Sequence, residues 1–230
     1  MTEHTPAADG YDPDVEPGGP VALRELPDLA IRKMSVSQMH NNVYLLTCRS
    51  TGEQLLIDAA DDGARIRELV EGAKGGSGLS HLVTTHQHWD HVRALEETAQ
   101  WSGARTYGGE DDADALPVAP DVRLRQGDTI TFGDITLDVI HLRGHTPGSV
   151  ALAYDDPHGH VHLFTGDSLF PGGVGNTTME GQSFDSLYAD VTERIFAVYD
   201  DDTWFYPGHG SDSTLGAERP HLEEWRERGW

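Results

Sequence analysis

Short apolar runs, and one run in which apolar and polar residues alternate, predict strands in both halves of the chain. The run 135–142 alternates in this way, which is typical of a strand that buries one face. In the first half, the apolar runs 43–48 and 54–57 are separated by Thr51 and Gly52, and a short turn between two such runs predicts a β-hairpin.

Apolar residues that recur every three or four positions predict helices between these strands. Ile66, Leu69 and Val70 share one such face, and Ser183 can cap a later helix that carries Leu187. Hairpins of strands with helices inserted between them favour two facing sheets with the helices outside, because that arrangement buries every apolar face.

The first 20 residues contain no hydrophobic period. They are rich in Pro, Gly, Asp and Glu, a composition typical of chain that does not pack into a core. The sequence therefore predicts a flexible N-terminal tail over 1–20 and one domain over 21–230, which is long enough for a sizeable core.

Composition narrows the range of partners. The chain has 16 Lys and Arg against 39 Asp and Glu, a net charge of −23, which repels nucleic-acid phosphates and anionic lipids. Cys48 is the one cysteine, so an internal disulfide is excluded. No apolar run reaches the length of a membrane span, and the N-terminus lacks the layout of a signal peptide. We therefore expect a cytoplasmic protein that binds neither nucleic acid nor membrane, and the oligomeric state stays open.

One loop concentrates side chains of the metal-binding type. It contains His86, His88, Asp90 and His91. In an extended segment, residues two positions apart point the same way, so His86 and His88 face one spot. Asp90 and His91 follow after a turn and can face a second spot beside the first. The loop therefore predicts two adjacent metal sites.

Four further turns, each directly after a predicted strand, also carry a residue of ligand type. These residues are Asp58, His145, Asp167 and His209. Glycines next to three of them let the backbone bend and approach a ligand closely. Functional side chains commonly gather in this way on loops at one edge of a sheet scaffold.

The other histidines are not expected to bind the same metals. Three of them alternate along a predicted hairpin, where we expect a solvent-facing strand edge: His158, His160 and His162. His40 lies on a loop that could overhang the site.

Four motifs occur in the order and with the spacing of one known family. They are THQHWDH from Thr85, GHTPGS from Gly144, FTGDSLF from Phe164 and YPGHG from Tyr206. On these motifs the chain resembles the metallo-β-lactamase-fold hydrolases and, within them, the glyoxalase II-like branch. The resemblance implies an α/β fold of the αββα sandwich type, with two facing, mostly antiparallel sheets, outer helices and the metals at one edge.

The resemblance also implies a set of ligands for two divalent metal ions. Zinc is the expected metal, with iron or manganese as alternatives. The first ion would be bound by His86, His88 and His145. The second would be bound by Asp90, His91 and His209. Asp167 would bridge the two ions and, with Asp90, would take part in catalysis, while Asp58 would support the ligands from behind.

These residues imply a dinuclear hydrolase in which a metal-bound hydroxide cleaves a small thioester or ester. Two alternatives on the same scaffold stay open: a persulfide dioxygenase-like oxidoreductase with a single iron, and a lactonase. Class B β-lactamases do not use an aspartate bridge of the Asp167 kind, so antibiotic hydrolysis is not expected.

The resemblance also bears on the substrate. Glyoxalase II binds glutathione with basic residues, and one of them follows the second glycine of the loop after its TGD motif. Asn176 stands at that position here and is a candidate substrate contact. The segments 35–42, 171–183 and 211–216 contain no Lys or Arg. We therefore expect a small-molecule acyl substrate that is neutral, with glutathione thioesters as poor substrates.

Overall fold

Two sheets pack face to face in the structure, a computed structural model that describes residues 10–230. The first sheet has seven strands in sequential order. They are β1 (Ala22–Glu25), β2 (Leu29–Val36), β3 (Asn41–Cys48), β4 (Glu53–Ile57), β5 (Gly78–Thr84), β6 (Arg105–Gly109) and β7 (Val122–Leu124). Neighbours from β1 to β4 are antiparallel, and those from β4 to β7 are parallel.

The second sheet has six strands in the order β15-β14-β11-β10-β9-β8. They are β8 (Thr129–Phe132), β9 (Ile135–His141), β10 (Val150–Asp155), β11 (Val161–Gly166), β14 (Trp204–Pro207) and β15 (Ser213–Thr214). Only β11 and β14 pair in parallel within this sheet of the described chain. A small hairpin lies apart from it, formed by β12 (Leu169–Phe170) and β13 (Gly173–Val174).

Helices cover the outer face of each sheet. The first sheet is covered by α1 (Gly63–Gly72) and α2 (Leu95–Ser102), and the second by α3 (Phe184–Val191), α4 (Leu215–Glu218) and α5 (Leu222–Arg228). In α1 the predicted apolar face is buried, and the Asp62 side chain caps the first turn by accepting from the Arg65 amide. Between residues 10 and 230, no helix combines the length and apolarity needed to cross a membrane.

The two sheets and the helices outside them form four layers, and an apolar layer fills each of the three spaces between them. The inner layer lies between the sheets and includes Leu46, Ile57, Val139, Leu152 and Phe164, all at most 1% exposed. One outer layer packs beneath α1 and α2, and the other beneath α3 and α5. This arrangement confirms the predicted αββα sandwich.

The N-terminal segment differs from the predicted tail. Tyr11 is 2% exposed, lies in the inner apolar layer and donates a hydrogen bond of 2.8 Å to Asp212. The Pro13 carbonyl accepts a hydrogen bond of 2.8 Å from the Lys33 ammonium, and Pro17 forms a β-bridge with Ser35. The prediction of a flexible tail is thus wrong for residues 11–17, where Tyr11, Pro13 and Val15 are buried in alternation with exposed acidic residues. The alternation is too short, and too interrupted by proline, to stand out from the composition of the segment. Residues 1–9 of that prediction lie outside the described residues.

The alternating histidines also differ in part from expectation. Strand β11 lies between β10 and β14 rather than at an edge. His162 is therefore fully buried, with its Nδ1 2.8 Å from the Tyr206 hydroxyl. The expectation of a solvent-facing edge is wrong for His162, whereas His158 is exposed.

Candidate metal centre

Every ligand residue predicted from the sequence lies at one edge of the sandwich, where strands of both sheets end. Asp58 follows β4 and the histidine loop follows β5, while the other three follow β9, β11 and β14. Backbone hydrogen bonds join the two sheets at this edge, from the Val150 amide to the Thr85 carbonyl (2.9 Å) and from the Asn42 amide to the Gly208 carbonyl (2.7 Å). The two sheets therefore present their loops to one shared space.

Three histidines, called here the three-histidine group, form the first cluster. The ligand atoms of His86, His88 and His145 all lie within 4.8 Å of one another. The Nδ1 atom of His145 lies 2.7 Å from the Asn176 carbonyl, and that of His86 lies 3.0 Å from the Thr85 hydroxyl. The Nε2 atoms of His86 and His145 are buried and have no hydrogen-bond partner among the described residues. Buried polar atoms are rarely left in this state, so the two nitrogens indicate a ligand site.

Asp90, His91 and His209 form the second cluster, called here the mixed group. The Nε2 atoms of His91 and His209 lie 3.1 Å apart. The Asp90 Oδ2 atom lies 3.3 Å from His209 Nε2 and 3.6 Å from His91 Nε2. In a tetrahedral site with metal–ligand distances of about 2.0–2.1 Å, ligand atoms lie about 3.3 Å apart. The spacing of the mixed group therefore fits a metal ion.

Asp167 lies between the two groups. Its Oδ1 atom is 3.4 Å from His91 Nε2, and its Oδ2 atom is 3.4 Å from His209 Nε2 and 3.6 Å from His145 Nε2. Gly208 makes this position possible, because a Cβ atom there would lie 2.2 Å from Asp167 Oδ1. One carboxylate thus faces both groups at once.

Asp58 supports the site from behind, at a backbone position with φ of 57°. Its Oδ1 accepts from the Thr85 amide, and its Oδ2 accepts from the Thr85 hydroxyl, both at 2.7 Å. The same Oδ2 lies 2.9 Å from Nδ1 of His91. Because Nδ1 is engaged there, Nε2 of His91 is directed at the mixed group.

Burial lowers the pKa of some histidines at the site, whereas neighbouring carboxylates raise the pKa of others. The pKa of His86 lies well below its ordinary value because burial disfavours the charged imidazole, and the same cause lowers the pKa of His88. Burial alone would also lower the pKa of His91, but the carboxylates of Asp167 and Asp58 outweigh it and raise this pKa well above its ordinary value. Hydrogen bonds with Asp167 and Asp90 likewise outweigh burial and raise the pKa of His209 to about 9.

The two carboxylates in the centre are held in the ionised form. Burial alone would raise the pKa of Asp90, yet hydrogen bonds with His209 and Asn41 outweigh it, so this pKa lies below its ordinary range. Burial is similarly outweighed at Asp167, mainly by the charge of His91, and its pKa lies well below the ordinary value. Ionised carboxylates and the neutral imidazoles of His86 and His88 are donors that a divalent cation requires. His91 and His209, whose pKa values are raised, would have to release a proton when a cation binds.

Two residues at the site carried no signal in the sequence. Asn41 is fully buried, and its Nδ2 donates a hydrogen bond of 2.9 Å to Asp90 Oδ2. Asp112 is 1% exposed and accepts hydrogen bonds from residues on two of the ligand loops. Neither is marked by spacing or periodicity, because their contacts form only when distant segments pack together.

Two further residues singled out in the sequence, Asn176 and His40, lie outside the two ligand groups. Asn176 is exposed, its side-chain oxygen accepts from the amide and hydroxyl of Thr178, and its carbonyl orients His145. Its predicted contact with substrate stays a prediction. His40 turns towards Glu16, with its Nδ1 3.6 Å from the carboxylate. Its expected overhang of the site stays untested.

Comparison with known proteins agrees with this architecture. The family model described as the metallo-beta-lactamase superfamily matches residues 37–209. The chain therefore belongs to the metallo-beta-lactamase superfamily, which consists mainly of hydrolases. This membership confirms the resemblance found in the sequence, and the fold and its His/Asp clusters imply divalent metals.

Individual relatives narrow the comparison further. The probable hydroxyacylglutathione hydrolase glo2 of Schizosaccharomyces pombe is 30% identical over 172 residues, which span 74% of this chain but only 64% of that hydrolase. The crystal structure of ETHE1 from Myxococcus xanthus matches with a TM-score of 0.75 at 26% identity, covering 86% of this chain and 84% of that one. The crystal structure of TTHA1623 in a di-iron-bound form matches with a TM-score of 0.68 at 30% identity, covering 81% of this chain and 96% of that one.

Proposed function

We propose that the chain is a dinuclear metal-dependent hydrolase that cleaves a small, neutral thioester or ester. The observation that carries this proposal is the position of Asp167, within 3.6 Å of histidine nitrogens in both groups. A carboxylate that faces two clusters of donors fits a bridge between two cations. We expect two ions per chain, with zinc as the metal and iron or manganese as alternatives, and a relative solved in a di-iron-bound form supports the number.

Each group has a separate part in this proposal. The three-histidine group would hold one ion, the mixed group would hold the other, and Asp167 would contact both. Such ions, when bound, act as Lewis acids and lower the pKa of a coordinated water, to about 7 for zinc. Because the pKa of Asp90 lies below its ordinary range, this carboxylate stays ionised and would orient the reacting water by accepting a hydrogen bond from it. The Asn41 amide fixes the orientation of Asp90 through its 2.9 Å hydrogen bond.

The cations near the site are already engaged, which argues against an anionic substrate. The guanidinium of Arg143, two residues before His145, donates two hydrogen bonds to Asp190 (2.9 and 2.8 Å), and the Arg143 amide donates a third of 2.9 Å. Arg93, two residues after His91, forms an ion pair of 2.7 Å with Asp61. Glutathione carries two carboxylates, and binding it would require cations that are not neutralised in this way.

Three exposed apolar residues adjoin the ligands along the chain or through backbone hydrogen bonds, and we expect them to contact an apolar acyl group. Trp89 lies between two ligands of the histidine loop and is 59% exposed. Met39 is 47% exposed, and its carbonyl lies 2.8 Å from His209 Nδ1. Met179 is 52% exposed, and its amide donates to Gln182, which in turn donates to the His145 carbonyl. Apolar walls with a few polar groups are typical of small-molecule sites.

The test combines metal analysis with a comparison of matched substrates. We expect two metal ions per chain and loss of activity on chelation, with recovery when zinc is added back. We also expect a higher kcat/KM for the lactoyl thioester of N-acetylcysteamine than for S-D-lactoylglutathione, because the first has no carboxylates to bind. The two substrates share one acyl group, so the comparison isolates the thiol part. Asn176→Arg, which places a cation where glyoxalase II has one, should raise kcat/KM for the glutathione thioester only.

Three results would contradict parts of this proposal. A preference of the wild-type protein for S-D-lactoylglutathione would make the chain a glyoxalase II with basic contacts from elsewhere. One iron per chain, with oxygen consumption on a persulfide, would favour the dioxygenase alternative. Turnover of lactones alone would favour the lactonase.

A further inference from the structure

Asp112 is a buried carboxylate that joins two of the ligand loops. It lies three residues beyond the end of β6 and is 1% exposed. Its Oδ2 accepts a hydrogen bond of 3.0 Å from the Gln87 amide and one of 2.6 Å from the Thr146 hydroxyl. Its Oδ1 accepts a hydrogen bond of 2.6 Å from the Gly148 amide. Three neutral donors thus converge on one carboxylate.

The positions of these donors relate Asp112 to the three-histidine group. Gln87 lies between His86 and His88, and Thr146 follows His145 directly. The first loop comes from the first sheet and the second loop from the second sheet. Asp112 therefore holds the backbone on which all three ligands are mounted, across the boundary between the sheets.

The packing around Asp112 leaves little freedom to the second loop. A Cβ atom at Gly148 would lie 2.3 Å from the Asp112 amide nitrogen, and one at Gly109 would lie 1.8 Å from the Gly148 carbonyl oxygen. Thr146 donates its hydroxyl proton to Asp112, so Ser149, whose oxygen lies 2.6 Å away, donates to Thr146. The loop is thus fixed by close backbone contact and by a directed chain of hydrogen bonds.

Burying the Asp112 carboxylate costs free energy, which packing alone does not explain. Burial raises the pKa of its carboxyl, and the hydrogen bonds from Thr146, Gly148 and Gln87 oppose that shift. A buried carboxylate is retained at low cost only where its hydrogen bonds are complete. The mixed group, by contrast, is held by Asp58, Asn41 and the Met39 carbonyl.

We propose that Asp112 is a positioning residue dedicated to the three-histidine group, so that it sets the affinity of one metal ion and not of the other. This inference rests on the proposed dinuclear site. It predicts that the two ions can be weakened separately through residues that do not contact them.

Asp112→Asn tests this inference in two backgrounds. Whichever way the new amide is turned, its NH₂ group faces an N–H donor, either that of Gly148 or that of Gln87. With His209→Ala, which leaves the three-histidine group, we expect Asp112→Asn to weaken Zn²⁺ binding by about 10- to 100-fold. With His145→Ala, which leaves the mixed group, we expect no change. Zn²⁺ affinity is measured against a chromophoric chelator, and the melting temperature of the metal-free protein reports on folding.

Asp121→Asn is the matched control. Asp121 also accepts hydrogen bonds from a backbone amide and a hydroxyl (2.9 and 3.0 Å), both of Thr106 on β6 and away from the ligand loops. This variant should leave both affinities unchanged. If Asp112→Asn does not fold, Thr146→Val removes one of the three hydrogen bonds and should show the same selectivity in milder form.

The outcomes separate this inference from the proposed function. Equal weakening of both ions, or no weakening in a folded variant, overturns the role of Asp112 while two ions in the wild-type protein uphold the dinuclear site. A wild-type protein that binds no metal overturns both proposals.

Discussion

Oδ2 of Asp58 lies 2.9 Å from Nδ1 of His91, although the two residues belong to loops that follow different strands. The contact leaves Nε2 of His91 facing Asp90, Asp167 and His209 at 3.1–3.6 Å. The carboxylate therefore determines which nitrogen of the imidazole reaches the centre, so its replacement should weaken metal binding.

We accordingly expect Asp58→Asn to weaken metal binding by the mixed group by about 10- to 100-fold. Zinc titration of the metal-free protein measures this change. Asp62→Ala is a suitable control, because it removes the cap of α1 only four residues away and should cost about 1 kcal/mol of stability without changing metal affinity. Unchanged zinc affinity in a folded Asp58→Asn protein would show that the contact is structural only.

Asp167→Asn should reduce kcat strongly while the fold stays intact. The substitution removes the one negative charge that faces both groups, so binding of both ions should weaken and the pKa of a water they share should rise. Metal content, circular dichroism and kcat on the same sample measure the effect. Near wild-type turnover in a fully metal-loaded variant would contradict the bridging role.

Asn41→Ala should reduce activity less than the loss of Asp90 itself. The Asn41 amide donates to Asp90 Oδ2 and accepts a hydrogen bond of 2.6 Å from the Ser37 hydroxyl, so it orients the carboxylate without replacing it. Ser37→Ala removes only the outer contact and should have a smaller effect in the same direction. We expect kcat to fall in the order wild type, Ser37→Ala, Asn41→Ala and Asp90→Ala. Any other order would argue against this chain of contacts.

The Arg143–Asp190 pair should give a stability contribution that disappears in acid. Burial alone would raise the pKa of Asp190, but hydrogen bonds from Arg143 outweigh it and this pKa is lowered. A carboxyl with a lowered pKa in the folded state stabilises fully above its unfolded value of about 3.9 and loses that contribution as the pH falls further. Urea unfolding of wild type and Asp190→Asn should show a constant difference near neutral pH that shrinks below about pH 4. A difference that grows in acid would have the wrong sign.

Predictions from the sequence succeeded where the signal is local. The spacing of His86, His88, Asp90 and His91 within one loop predicts a metal site without knowledge of the fold, since neighbours in the chain remain neighbours in space. The structure places these residues in two clusters that could hold a metal ion. An alternating run likewise predicted β9, because one buried face imposes a period of two. Two apolar runs around a Thr-Gly turn predicted the hairpin of β3 and β4. These patterns favoured two facing sheets, and the resemblance of the four motifs to a known family implied the αββα sandwich.

What only the tertiary structure decided depends on contacts between distant segments. Tyr11 reaches Asp212 across 201 positions, and Arg143 reaches Asp190 across 47, so no local pattern reveals that the first is anchored and the second neutralised. The same holds for Asp112, which lies in an acidic stretch that resembles a solvated surface until two loops from different sheets converge on it. The candidate ligands, and Asp58 behind them, could thus be predicted from the motifs of the chain. Asn41 and Asp112, which orient ligands through contacts between packed sheets, could not.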